Sequence, residues 1–289
     1  MVGVVCAFLA TWKVLFQSNE SLTGMKWFPA GDGSDYNDCV RWLYDALYEK
    51  NYECDFIFPE TENYEAYKVI ILPAFYVAPE PVLHRLLQFV KAGGVLIGTY
   101  KSCFTNEHVK VYADTQPHIL RDCFGVEYDQ FVIADQVLLQ NSKGLLKEEH
   151  VEGFMECLRL TDGEEVLRYV HENWGQYTAA ARKKYGKGQA YYFGCRFGKA
   201  LLKTILDQIM KDAGIAPSYE AEFPLIARKG INPSGKEILY LFHYSGKERE
   251  IEWTGGNCME LLNRKEVKKG ERLHFAPWDV KIMEKSPAD

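Results

Sequence analysis

The chain has 289 residues, 47% of them hydrophobic, which is enough apolar material for one large core or two smaller ones; a disordered chain is excluded and two domains are predicted. The net charge of −6, with Arg182, Lys183 and Lys184 as the densest basic cluster, argues against a nucleic-acid partner, whose phosphates need concentrated positive charge. Eight cysteines show no CxxC pair and no close Cys/His spacing. No metal and no cofactor is therefore expected, and the cysteines read as reduced, mostly buried thiols of a cytoplasmic protein.

In chain order, the apolar run at residues 4–9 reads as a buried first strand, since it lacks the basic leader of a signal peptide and Lys13 interrupts it. No stretch approaches the roughly 20 apolar residues of a membrane span, so no membrane partner is expected. Residues 10–33 form a long loop carrying Trp12, Phe16, Trp27 and Phe28, and loops of that length inside a domain tend to be functional. Ser34 or Asp35 can cap a helix reaching about residue 51, with Val40, Leu43, Tyr44 and Leu47 on one face. Residues 54–58 follow as a strand.

The segment 67–100 organises the rest. Residues 68–72 are a short β-branched run, as in a strand covered on both faces. Over 80–92, Val82, Leu83, Leu86, Leu87 and Val90 fall on one stripe of a helix, which Gly93 and Gly94 end before a strand starts at Val95. This is a right-handed, parallel βαβ unit. Beyond a polar loop to Thr115, a helix over 116–124 ends at Gly125, and strand-like pieces cover 130–139, 165–170, 176–182 and 189–193. The last two are joined by a hairpin at 185–188, whose glycines are expected to supply positive φ. A helix over 199–213 closes the domain and Pro217 marks a linker. From Ser218 onward, alternation at 238–244, 249–253, 258–262, 272–275 and 280–283 predicts short antiparallel strands. The predicted fold is an α/β domain over 1–215, a doubly wound, mostly parallel sheet of flavodoxin-like type, followed by a small all-β sandwich over 218–289.

The acidic run leading to YKVIILPAFYV, the helix ending in FVKAGGVLIGTY, and the later HILRDCFGVEYDQF and KKYGKGQAYYFGCRFG resemble the trimerisation domain of family 42 β-galactosidases. The tail ELLNRKEVKKGERLHFAPWDVKIME is similar to the small β-domain that closes those enzymes. The resemblance implies a class I glutamine amidotransferase-like fold, a homotrimer, and a parent activity of removing terminal non-reducing β-D-galactose. It also implies a partner: the family's N-terminal (β/α)8 barrel with its two catalytic glutamates is missing from the sequence.

The residues themselves offer little chemistry. Only about four βα units precede the all-β region, and no acidic pair has the setting of two carboxyls about 5 Å apart across a sugar. An amidotransferase-like nucleophile belongs on the sharp turn after the strand 95–97, which places Thr99 or Tyr100 there; Cys103 comes too late, and the His171-Glu172 pair lies far from it. No catalytic residue is therefore assigned, and a stand-alone amidotransferase-like hydrolase is kept as an alternative. Trp12, Phe16, Trp27, Phe28, Phe75, Tyr76, Tyr100 and Phe104 should gather where the parallel strands end, as an apolar edge covered by another subunit or by the barrel. The same aromatics could stack on a sugar, which leaves a carbohydrate-binding module as a further alternative.

Overall fold

The computed structural model describes residues 7–8, 13–28, 36–134 and 136–285. The chain divides into two compact units: Trp12–Tyr44 with Cys54–Ala213, and Met1–Thr11 with Asp45–Glu53 and Gly214–Asp289. Positions 1–6, Trp12, Ser34 and Asp35 lie outside the described residues.

The larger unit is built on a nine-stranded sheet in the order Asp55–Ile57, Lys13–Phe16, Val69–Leu72, Val95–Thr99, Gly188–Phe193, Thr178–Tyr185, Glu164–Val170, Leu138–Asn141, Gly144–His150. The strands from Asp55–Ile57 through Gly188–Phe193 run parallel, and every later pairing is antiparallel. The sheet is thus mixed, where the sequence predicted a mostly parallel one. The reason lies in the connections. A helix, Tyr36–Glu49 or Glu80–Ala92, carries the chain between parallel neighbours early on, while tight turns later on can join only antiparallel ones.

The Val69–Leu72 strand is buried at every position, as its β-branched run predicts. The Glu80–Ala92 helix buries Val82, Leu83, Leu86, Phe89 and Val90, with Leu87 only partly covered. Gly94 is required where it stands, because a Cβ there would lie 2.3 Å from the Phe89 ring. The 185–188 hairpin forms, with Tyr185 opposite Gly188, but its glycines act differently from each other. Gly186 takes φ +60, whereas a Cβ on Gly188 would stand 2.1 Å from the Gly94 carbonyl oxygen, so Gly188 serves close approach. The segment 130–139 breaks in two: Phe131–Ala134 pairs with Gly153–Glu156 outside the large sheet, and Leu138–Asn141 joins that sheet. The Lys199–Asp212 helix closes the unit with Leu202, Leu206, Ile209 and Met210 buried.

The smaller unit has a six-stranded sheet, Ala7–Phe8, Leu225–Ile231, Glu237–His243, Val280–Lys285, Cys258–Glu260, Lys265–Val267, and a two-stranded one, Arg249–Glu252 with Arg272–Phe275. Leu225, Leu239, Leu241, Trp253, Phe275 and Met283 fill its core. The first strand is corrected here: Ala7 and Phe8 pair antiparallel with Ile231 and Gly230, not in the parallel sheet. Residues 45–53 also fold with this unit. Asn51, buried and at φ +61, donates through Nδ2 to the Ala221 and Leu225 carbonyls at 3.0 and 3.3 Å, and accepts from the Ala227 N–H at 2.7 Å.

Candidate functional site

The strand Val95–Thr99 ends in the turn where an amidotransferase-like nucleophile would stand. Thr99 closes the strand rather than opening a site: its Oγ1 accepts from the Ala74 N–H at 2.8 Å and donates to the Leu72 carbonyl at 3.2 Å. Tyr100 is buried, and its N–H is bonded to the Phe193 carbonyl at 2.7 Å. The sharp position is instead Lys101, at φ +62, followed by Cys103 at the same φ. Non-glycine residues in that region mark a strained turn. Ser102 Oγ accepts from Phe75 N–H at 3.0 Å, and the Cys103 N–H donates to the Phe75 carbonyl at 2.8 Å. The turn is thereby laced to the segment that follows the neighbouring parallel strand.

Lys101 is 2% exposed. Its ammonium faces three rings, with Nζ 4.7 Å from the Phe154 centroid, 5.1 Å from Phe28 and 5.9 Å from Tyr100. Such faces carry negative potential and attract a cation. The Lys101 backbone N–H donates to Glu156 Oε1 at 2.7 Å. Glu156 is fully buried, and desolvation pushes its pKa up to about 8 against the opposing pull of the Lys101 N–H. The Tyr128 and Tyr192 hydroxyls neighbour this carboxyl, and burial raises both phenols.

Cys103 is fully buried, and desolvation, with Glu156 adding to it, pushes its thiol well up. A thiolate is disfavoured there, which is the reverse of what a nucleophile needs. His171 is not brought to the turn: its ring stacks on Trp174 at 4.3 Å and its Nδ1 accepts from the Asn173 N–H. Among the described residues, no group of three or more His, Cys, Asp or Glu side chains could hold a metal ion. No helix among them is long and apolar enough to cross a membrane.

The predicted aromatic edge does gather, but it covers itself. Phe28 packs on Phe104 at 5.3 Å and on Tyr76 at 5.7 Å, Tyr76 stacks on Phe104 at 5.5 Å, and Phe16 meets Phe75 at 4.6 Å. Phe16, Phe28, Phe75, Tyr76 and Tyr100 are buried within this chain and Phe104 is half-buried. The sequence placed their cover in another subunit or in the barrel, and that is corrected for these residues, which are covered within the chain itself. Trp27, 80% exposed, is the exception, and Trp12 lies outside the described residues. Sequence reasoning missed Phe131 and Phe154, which join the cluster at 5.3 and 5.5 Å from Phe28. It also missed Lys101 and Glu156. The signal for Glu156 was a lone carboxylate between Met155 and Cys157 in an apolar strand.

The larger unit is a mixed α/β domain whose turn after the central strand is filled with packed side chains, and the smaller unit is an all-β domain. Residues 14–216 match the β-galactosidase trimerisation domain, and the chain belongs to that family. β-Galactosidase LacZ of Heyndrickxia coagulans is 26% identical over 84% of this chain and 36% of its own length. β-Galactosidase BglY of Alicyclobacillus acidocaldarius is 27% identical over 77% of this chain and 33% of its own length. The chain thus spans about a third of the length of these relatives. The crystal structure of β-galactosidase from Bacillus circulans sp. alkalophilus superposes with a TM-score of 0.87 at 19% identity, over 96% of this chain and 41% of that one. That likeness shows the shared fold.

Proposed function

We propose that this chain is the non-catalytic assembly region of a β-galactosidase-like glycoside hydrolase, associating as a homotrimer and serving a (β/α)8 barrel that removes terminal β-galactose. The match of residues 14–216 to the trimerisation domain is the observation that carries this reading. The filled turn at Lys101 supports it, since an enclosed ammonium and a protonated, buried thiol leave nothing there to attack a substrate. For the same reason a stand-alone amidotransferase-like hydrolase is not favoured. The parallel part of the large sheet, with strand Lys13–Phe16 between Asp55–Ile57 and Val69–Leu72, is in keeping with a flavodoxin-like or amidotransferase-like origin. A cytoplasmic setting fits the seven described cysteines, all free.

Within this reading Trp27 is the aromatic that meets a neighbouring subunit or the barrel. Sedimentation equilibrium of the purified chain at micromolar concentration tests the assembly, and a trimer is expected. Assay with a chromogenic β-galactoside tests the rest: no turnover is expected from this chain alone. Turnover that survives repurification and is lost on mutation of a residue in this chain would overturn the proposal.

A further inference from the structure

His118 opens the 3-10 helix His118–Leu120 at the end of the loop 104–117, and its side chain is enclosed, with 10% of it exposed. The backbone there takes φ +55, a conformation that a non-glycine residue keeps only when its surroundings hold it. Tyr112 supplies one face of those surroundings. Its ring stacks on the imidazole with centroids 3.6 Å apart, and its hydroxyl donates to the Ala78 carbonyl at 2.9 Å, just before the helix Glu80–Ala92.

Both ring nitrogens of His118 face carboxylates. Nδ1 lies 2.7 Å from Asp114 Oδ1, and Nε2 lies 3.5 Å from Glu80 Oε1. An ionised carboxylate can only accept, so Nδ1 carries the proton of the neutral ring and Nε2 turns a lone pair toward Glu80. Nε2 is enclosed and has no hydrogen-bond partner among the described residues. An imidazolium donates from both nitrogens, and so reaches one carboxylate on the loop and one on the first turn of the helix. Glu80 is exposed enough for its side chain to turn and close the remaining gap.

The charges around the two stacked rings point the same way. Burial first, then Glu80, Glu107, Cys103 and Asp114, push the Tyr112 phenol up to about 12. Carboxylates that oppose a phenolate beside the imidazole favour a cation within it. Burial holds Cys103 as the neutral thiol, and Arg121, on the short helix Arg121–Phe124 that follows, pairs with Asp122 at 3.9 Å. We infer that His118 is a proton-operated clasp, which when charged ties the loop 104–117 to the start of the helix Glu80–Ala92 and when neutral releases Glu80.

Histidine changes charge between about pH 5 and pH 8, where carboxylates stay ionised. The charged ring favours the closed loop, so the loop is held more firmly at the acid end of that range and loosens as pH rises through it. Amide hydrogen exchange on the full chain, corrected for the intrinsic pH dependence of exchange, tests this. The reporters are the Tyr112 and Gln116 N–H groups, which donate to the Phe104 and Tyr128 carbonyls. Solvent screens the partly exposed Glu80 and Asp114, so protection should fall by roughly two- to fivefold from about pH 5 to about pH 8. His118→Asn, with a side chain that tolerates positive φ, should abolish the fall, and Glu80→Gln should reduce it. Glu80 lies at the surface, so its variant decides the matter should His118→Asn fail to fold. The Glu156 carboxyl acts on parent and variants alike and drops out of the comparison. Protection that does not fall with pH in the parent, or a fall of equal size in Glu80→Gln, overturns the clasp. Sedimentation tests the assembly reading separately, so the two can fail independently.

Discussion

The backbone N–H of Lys101 donates to Glu156 Oε1 at 2.7 Å, and this bond ties the left-handed turn after the central strand to a carboxyl enclosed beneath it. The bond does not require the carboxylate, because a carbonyl oxygen of the protonated acid accepts as well. Burial pushes the Glu156 pKa up to about 8 from its ordinary 4.5, so between those values the folded chain holds a proton that the unfolded chain has released. Unfolding then releases a proton, and the stability this group allows falls as pH rises through that window and levels off above it. The loss should amount to about 3–5 kcal/mol in total. Glu156→Gln keeps an oxygen for the Lys101 N–H and cannot ionise. Urea midpoints followed from about pH 5 to about pH 9 should therefore show a flatter profile for the Gln variant, which overtakes the parent at the alkaline end. An unchanged slope would assign the pH dependence to another group.

Cys103 should be inert in the folded chain. Its thiol is fully buried and pushed upward by desolvation, so iodoacetamide should label it only under conditions that open the larger unit. Labelling followed by peptide mapping at increasing urea checks this. Rapid, saturable alkylation of Cys103 near neutral pH without denaturant would revive the nucleophile reading.

Asn51 should matter more to the smaller unit than its place after a helix suggests. It satisfies two carbonyls and one N–H of the 221–227 segment while holding φ +61, a conformation that asparagine tolerates better than alanine. Asn51→Ala leaves buried backbone groups unpaired and adds strain, which predicts a loss of about 2–4 kcal/mol. Trp253 lies in the core of this unit, so its fluorescence during urea unfolding reports the change. A midpoint equal to the parent's would mean that water replaces the side chain without cost.

The helix Glu80–Ala92 was legible because it buries one face with a clean period, and the strand Val69–Leu72 because a short β-branched run covered on both faces is apolar at every position. The strand Gly144–His150 was not, since it is an edge strand with no buried position to impose alternation. Leu225–Ile231 was also missed: Arg228 and Lys229 interrupt its apolar pattern, although the strand pairs on both sides. The parallel-to-antiparallel change in the large sheet follows from where crossover helices stop, which composition hints at but register decides. At the candidate site, the aromatics were visible one by one. Their mutual burial was not, because Phe131 and Phe154 complete the cluster from strands far along the chain. Lys101 was hidden for the same reason, as a lysine after a strand reads as a solvated turn until three rings are found around it.

Trp27 is where the assembly reading meets a single side chain. It ends the short 3-10 helix Met25–Trp27, which continues directly from the helix Asn19–Gly24. The support beneath it is tight. Ser18 Oγ accepts from the Ser21 N–H at 3.0 Å, a Cβ on Gly24 would meet Val77 at 2.8 Å, and the next residue, Phe28, is packed among Tyr76, Phe104 and Phe154. The indole is thus presented on a rigid base, so little ordering is left to be lost when a partner covers it. Trp27→Ala should leave the stability of the chain within about 0.5 kcal/mol of the parent, as expected for an exposed position. It should weaken self-association by about 1–4 kcal/mol, the range of an interface anchor. Sedimentation equilibrium of parent and variant, with urea melts run beside it, separates the two effects. A variant that assembles as tightly as the parent would move the contact away from this helix and leave the exposed indole to a partner other than a second copy of the chain.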